Sequence, residues 1–577
     1  MSTMTLKSRR TSTFGMSLSA LVFIATAALV VVPVAFMIVG SFSLARLPTD
    51  FSWGNMGLEN YIQVWTARGI DSVLLNTIVF VLGAIFVATG IATMLAWLVE
   101  RSDMPGKLWI FASVPLCLAV PGLLQGVAWV LLLSPRSGII SRFVMDTFGL
   151  TQPFINIYSV GGMIFVEGLR LVPLAFLLMI PIMRNMDPAL EEAAATCGAT
   201  PIRTALKITM WLLMPGIAAT LLYQAISAFD AFEVPGVLGM SANIHVLSTR
   251  IYAIISSVGV APSFGQANAL AMLYLVIAVA LALLYYRMIR HSYRYTVVSG
   301  KAYRPRLVQL GNWRWLAIGG VFLYLFLSVI LPFSVLLYTS LIPFLQPPSA
   351  EAFESMSLSN YRRILADPRL TNAAINTFLI VVATSISVIV TSFVISYVII
   401  RSRFALRGTL DLLAFLPHAI PATVLAIAFL VFFLTVDAST GIRSYGSLTS
   451  IVIGLVVVFM AYGTRTMNSA LLQIHPDLQE AGFMSGATPF QIVRRIFIPL
   501  LMPTIIGLWL YVVILTIRIT ALPLMLARGS SNEVLASMIW SLWQNGRIET
   551  VAAIGVLLML FMFFLSIGLR LLGFGRN

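Results

Sequence analysis

Residues 191 to 201 read EEAAATCGATP, and residues 479 to 489 read QEAGFMSGATP. The copies lie 288 residues apart, and from Pro188 to Ile217 that offset matches 14 of 30 residues. Chance would give only a few, so the chain carries an internal duplication. Other pairs stand 300 apart: NYIQVW at 60 and NYRRIL at 360, LNT at 75 and INT at 375, Arg101-Ser102 and Arg401-Ser402, Val120-Pro121 and Ile420-Pro421. A difference of about a dozen residues between the third and fifth apolar runs of the two halves explains the change of offset.

The surroundings of the repeated loop are apolar. Of 577 residues, 59% are hydrophobic and 10% charged, and the mean hydropathy is +0.96. That leaves too little polar surface for a soluble globule of this length. Runs long enough to cross the roughly 30 Å of hydrocarbon as helices fall near 16–38, 72–100, 108–133, 157–183, 209–232, 266–286, 315–338, 373–400, 409–434, 448–472, 500–524 and 550–573. An all-α membrane protein of about twelve transmembrane helices is expected, not a barrel, whose strands alternate over about 10 residues. The first run follows MSTMTLKSRR and exceeds a signal-peptide core, so it reads as an uncleaved span.

Placing Lys7, Arg9 and Arg10 inside puts roughly 23 of the 36 basic residues in inner segments. Both termini are then expected in the cytoplasm of a bacterial cell, the chain lying in its inner membrane. The net charge of +15 follows from these loops and from anionic lipid, with no nucleic-acid partner. Cys117 and Cys197 offer neither a disulfide framework nor a metal cluster. The four histidines lack ligand spacing, and His418, in LPHAIPA near a break in a span, is expected to pack or hydrogen-bond.

Six spans per half make the halves parallel repeats about an axis along the membrane normal, with a pathway between them. The expected organisation is a first half over 1–286, a basic cytoplasmic linker over 287–314 and a second half over 315–577. Each repeated loop lies between the fourth and fifth spans of its half. Pro188 and Pro476 suit the first turn of a short helix, Gly198 and Gly486 break it, and Thr200-Pro201 and Thr488-Pro489 begin another.

These residues resemble the loop signature of the membrane subunits of type I ATP-binding-cassette importers. It stands here as Glu192-Ala193-Ala194, Gly198 and Ile208, and again as Glu480-Ala481-Gly482, Gly486, Ile496 and Pro499. The second copy departs by Gly482 for alanine, and the first by Trp211 where Pro499 stands. The resemblance implies that loops 184–208 and 473–498 are coupling helices, each docking on one of two ATPase subunits and swinging the halves between inward- and outward-facing states. It also implies an extracytoplasmic solute-binding protein as partner. No G-x-x-x-x-G-K-[ST] occurs, so the chain is not expected to be an enzyme or to bind a cofactor, with ATP and Mg on the partner subunits.

The segments FEVPGVLG, IHVLSTRIYAII and LASMIWSLWQNGRIETVAAIG resemble fused permeases of the ferric-iron branch, whose relatives include thiamine, phosphonate and polyamine systems. Ferric iron is the expected cargo, with thiamine, an aminophosphonate or a polyamine as alternatives. An ion-driven secondary transporter would leave the doubled loop unexplained.

Ionisable residues inside spans are costly and mark function by default. Asp230 lies 288 before Arg518 on the fifth spans, which line the pathway by resemblance. Asp230, with Glu233, is expected to face Arg518 across the axis as a latch near the outer mouth, the alternative being that each snorkels to the interface. Glu167 and Arg170, three apart on one helix, are expected to neutralise each other.

Overall fold

The computed structural model describes residues 4–184, 193–194, 196–256, 263–292, 307–529 and 531–574. Among them, eleven helices are long and apolar enough to cross a membrane, and a bent pair makes a twelfth span. In order the spans are Ser17–Phe42, Ile70–Arg101, the pair Lys107–Ala119 with Gly122–Leu133, Val160–Arg184, Lys207–Phe229, Phe264–Tyr285, Trp313–Leu341, Pro368–Arg401, Ala422–Thr440, Leu448–Gln473, Pro489–Arg518 and Ile548–Gly568. No strand forms among the described residues beyond two isolated bridges.

The third and ninth spans, expected over 108–133 and 409–434, are each broken, the ninth near His418 as its sequence suggested. Lys107–Ala119 and Gly122–Leu133 meet at 92°. In the second half, helix Arg407–Phe415 and a turn at 416–419 precede helix Ala422–Thr440. Pro121 and Pro421 are the cause, since proline lacks an N–H and pushes the preceding residue out of the helical region. Val120 and Ile420 are extended accordingly, with ψ of 117° and 121°.

The two halves interleave. The first span packs on the sixth and also on Ala422–Thr440 and Arg407–Phe415 of the second half; reciprocally, Leu331–Leu341 of the seventh packs on the twelfth and on Gly122–Leu133 of the first half. The expected linker is shorter than 287–314 at both ends. The sixth-span helix runs on to Ser292, the next begins at Trp313, and Val308 between them pairs with the backbone of Arg101 and Asp103.

The repeated polar motifs turn out to be backbone clamps. Asn60 donates to the carbonyls of Ser41 and Ser43 at 3.1 and 2.7 Å, and Asn360 to those of Ser340 and Ile342 at 3.0 and 2.8 Å. The neighbouring tyrosines, Tyr61 and Tyr361, each bond the hydroxyl of Ser41 or Ser340 at 2.7 Å. Thr77 accepts from the Leu247 N–H at 3.0 Å and Thr377 from that of Leu535 at 2.9 Å. Each clamp satisfies a chain end that hydrocarbon would leave without a partner.

At the opposite face, Arg101 donates to the Met183 carbonyl at 2.9 Å. Arg401 donates to the carbonyls of Leu471 and Ile474 at 2.9 and 2.5 Å and lies over the Phe497 ring at 5.6 Å. These arginines hold the last carbonyls of the spans that lead into the repeated loops. Arg401→Ala is expected to leave buried carbonyls unpaired, costing about 1–3 kcal/mol. Thermal unfolding in detergent should show a lowered midpoint, whereas Arg403→Ala, at an exposed neighbour, should leave it unchanged.

Candidate functional site

Two regions carry the functional candidates: the repeated loops on one face, and a charged layer inside the membrane at the far ends of the fifth and eleventh spans. Glu192 lies outside the described residues, as do the residues before it back to 185. The first copy is therefore described from Ala193 and Ala194 onward, apart from 195. Ala194 is buried, and Thr200 accepts from the Arg203 N–H at 3.4 Å.

The second copy is complete. Helix Pro476–Met484 is N-capped by His475 and anchored by Gln479, which donates to the Tyr397 hydroxyl at 3.2 Å. Thr488 and Gln491 then form a capping box at the next helix, with Pro489 in its first turn. Gly198 and Gly486 both have φ of +79°, the left-handed conformation that glycine enters at little cost. Gly482, the departure from alanine, lies against Ile492 and Ile496, where an added Cβ would come within 3.1 and 3.2 Å. Its repeat mate Ala194 corresponds to a smaller partner, Thr204 in place of Ile492.

What this loop presents outward is mixed. Glu480 and Ala481 are exposed, and Leu478, Phe483, Met484 and Phe490 are exposed apolar side chains beside them. The loop is tied to the membrane by a small core of Leu471, Ile474, Ile492, Phe497 and Leu501. It is thus a packed and capped knob with an apolar and acidic tip.

The charged layer differs from the expected latch. Asp230 caps the end of helix Met210–Phe229, and Arg518 ends helix Ile498–Arg518. No ion pair joins Asp230 or Glu233 to Arg518 among the described residues. Asp230 instead accepts from the Ala422 N–H at 2.6 Å, across the two halves. The break at Pro421 creates orphan N–H donors and the positive end of a helix dipole, and both attract a carboxylate. Neither residue reaches an exposed interface by snorkelling, because the chain after each folds back as buried segments such as Ala231, Phe232, Ala521 and Leu522.

Glu167 and Arg170 do form the expected pair, with Arg170 Nε donating to Glu167 Oε2 at 2.9 Å and Glu167 fully buried. The pair sits against the other break: a Cβ at Gly122 would lie 3.2 Å from Arg170 Cδ and 3.5 Å from Glu233 Cβ. Arg518 keeps Nε buried without a partner, in the field of Arg170, Glu233 and Glu167. Three carboxylates and two guanidinium groups therefore gather at the starts of two broken helices.

Beyond this layer lies an aromatic plug that sequence reasoning missed. Trp540 Nε1 donates to the Tyr252 hydroxyl at 3.2 Å, and Phe232 packs on both rings at 5.4 and 5.3 Å. Tyr252 and Trp540 are repeat mates at the 288 offset. A residue touching its own mate must lie beside the symmetry axis, and that signal could have been read only after pairing the halves.

The comparisons with known proteins agree with this architecture. A family model for the binding-protein-dependent transport system inner membrane component matches residues 389–575. A ferric transport system permease protein of Haemophilus influenzae is 25% identical over 76% of this chain and 66% of its own length. An Fe(3+)-transport system permease protein of the same organism is 22% identical over 88% of this chain and 91% of its own. A sulfate transport system permease protein of Synechocystis is 26% identical over 41% of this chain and 84% of its own. The chain thus spans just under two thirds of the first relative's length and about nine tenths of the second's.

Because Asp230 bonds Ala422 and not Arg518, exchanging the charges should not restore function. The double variant Asp230→Arg with Arg518→Asp is expected to transport no better than the worse single variant. A double-mutant cycle on uptake should give a coupling under about 0.5 kcal/mol. Asp230→Asn, which keeps an acceptor oxygen for the Ala422 N–H, should be milder than Asp230→Ala.

Proposed function

We propose that the chain is a permease subunit of a type I ATP-binding-cassette importer, in the branch that holds ferric-transport permeases, and that it passes ferric iron inward by ATP-driven alternating access. It is a multi-pass inner-membrane protein, and the bias of Lys and Arg supports an orientation with both termini and both repeated loops in the cytoplasm. A solute-binding protein delivers cargo to the opposite face.

One observation carries the coupling role: the same loop occurs at the same place in both halves, and the fully described copy presents Glu480, Phe483 and Met484 outward, uncovered among the described residues. Two ATPase subunits need two such knobs. Glu192 and Glu480 pair with basic groups in the ATPase sockets, while ATP and Mg are held by those subunits and this chain binds no cofactor. When the ATPase dimer closes, the knobs approach each other. Arg101 and Arg401 carry that movement into the second and eighth spans.

The pathway is closed on the binding-protein side by the Tyr252, Trp540 and Phe232 plug and the charged layer beneath it. Opening outward requires the Asp230 bond to Ala422 to part, since it links the halves. Iron is favoured over an anion such as sulfate by the extent of the ferric relatives, and by a layer holding three carboxylates against two guanidinium groups. Asp230, Glu233 and Arg518 are thus gate residues, acting through helix ends and their shared field.

The test is uptake of radiolabelled ferric iron by vesicles or cells containing the chain with its ATPase and binding protein. Glu192→Arg with Glu480→Arg should cut uptake roughly tenfold or more, about 1.4 kcal/mol for the two lost charged contacts together. Gly486→Pro should do likewise, because proline cannot adopt a φ of +79°. Full uptake and binding-protein-stimulated ATP hydrolysis in both variants would remove the coupling assignment. Hydrolysis without iron uptake in the unaltered complex would move the cargo to thiamine, an aminophosphonate, a polyamine or an oxyanion.

A further inference from the structure

Five polar aromatic side chains with no part in the gate meet where the two halves face each other inside the membrane. The Tyr223 ring stands 6.0 Å from the His418 ring, across the halves, and 5.9 Å from that of Tyr285. The rings of Tyr462 and Tyr511 stack at 4.1 Å. Tyr223 also lies near Tyr462 and Tyr511. Tyr223 and Tyr511 are repeat mates at the 288 offset, so the group straddles the axis on which a pathway between parallel halves must run.

Position along the helices adds to this. Tyr223 precedes Asp230 by seven residues and Tyr511 precedes Arg518 by seven, which at about 1.5 Å per residue sets the rings roughly 10 Å from the charged layer, toward the repeated loops. Cargo that has passed the gate meets this layer next. The rings also border open space: Tyr462 is 42% exposed, His418 is exposed, and Tyr223, Tyr285 and Tyr511 are half-buried.

Packing alone explains the group poorly. Among the described residues, no hydrogen bond satisfies the phenol oxygens of Tyr223, Tyr285 or Tyr511 or the ring nitrogens of His418. Polar tips of that kind are costly in an apolar interior unless they face water or a ligand. Phenol oxygen and imidazole nitrogen together suit a small, highly charged iron ion, which takes anionic oxygen and imidazole donors. We propose that Tyr223, Tyr511 and His418, flanked by Tyr285 and Tyr462, form a transient ferric-ion site on the cytoplasmic side of the gate.

The site rests on the ferric reading of the cargo. Binding exchanges the phenol protons of the coordinating tyrosines for the metal bond, releases those protons to water in the cleft, and leaves iron in the ferric state. A site of few donors, carried on two movable halves and regaining its phenol protons when the ion departs, lets the ion leave, as a conducting pathway requires. Tyr223 and Tyr511, on opposite halves, separate or converge as the halves swing.

The experiment uses the whole importer in vesicles, with ATP and its binding protein loaded with radiolabelled ferric iron, and compares Tyr223→Phe with Tyr511→Phe combined against the unaltered complex. Phenylalanine keeps both rings and removes only the oxygens. Coordination predicts that uptake falls about tenfold or more with both phenol ligands gone, while binding-protein-stimulated ATP hydrolysis persists. A packing role, or an aromatic cage stacking an organic cation, predicts uptake at the unaltered rate, and that result overturns the site. Should the double variant not assemble with its ATPase, Tyr223→Phe alone is read in the same assay by the same criterion. If the unaltered complex hydrolyses ATP but takes up no ferric iron, the cargo reading fails and the site with it, an outcome distinct from equal uptake in both.

Discussion

In hydrocarbon no water is present to satisfy a backbone N–H or C=O, and that constraint organises this protein more than any pair of side chains does. The bond from the Ala422 N–H to Asp230 is its most consequential expression. Pro421 breaks a helix inside the membrane, the break exposes donors, and a carboxylate from the other half supplies the acceptor. The interaction joins the halves at the charged layer because the break leaves the second half incomplete without the first.

The same constraint explains why so many repeated motifs are short and polar. Asn60 and Asn360 satisfy carbonyls where the first and seventh spans end. Thr77 and Thr377 hold the starts of helices Leu247–Ser256 and Leu535–Gln544, and Arg101 and Arg401 close the spans leading into the loops. Each pair marks a place where the chain stops being a regular helix. Mechanical continuity follows, since a fixed helix end transmits displacement where a frayed one would absorb it.

Symmetry supplies the pathway. Interleaving of the first and seventh spans with the opposite halves lets the two repeats share one interior, in which repeat mates such as Tyr252 and Trp540 touch. In the charged layer the halves differ in kind: Asp230 corresponds to Arg518 and Glu233 to Ala521. A charged layer built unequally from the halves can carry a net field for its cargo, which a strict two-fold arrangement of like residues would build from duplicated charges.

How much of this was legible beforehand depends on which distances set it. Hydropathy and helix length placed most spans to within a few residues, because hydrophobic thickness is a one-dimensional constraint, but the ninth runs over Ala422–Thr440 where 409–434 was expected and the eleventh over Pro489–Arg518 where 500–524 was expected. The doubled loop was visible as a repeat, and its glycine bends carry the same φ in both copies. The 92° bend was missed, since Pro121 marks a possible break without giving its angle. Asp230 was placed on the right helix end and given the wrong partner, because the N–H that attracts it lies 192 residues away at a break whose neighbours only packing reveals.

Sequence by itself thus determined the membrane class, the duplication, the parallel halves and the paired loops, all of which are written in periodicity, composition and offset. Tertiary structure alone decided the interleaving of the halves, the plug at the axis, the Asp230 bond and the ring cluster of Tyr223, His418 and Tyr511. The physical reason is that these depend on which residues of distant spans meet, and apolar helices that all satisfy the bilayer equally carry little information about their neighbours.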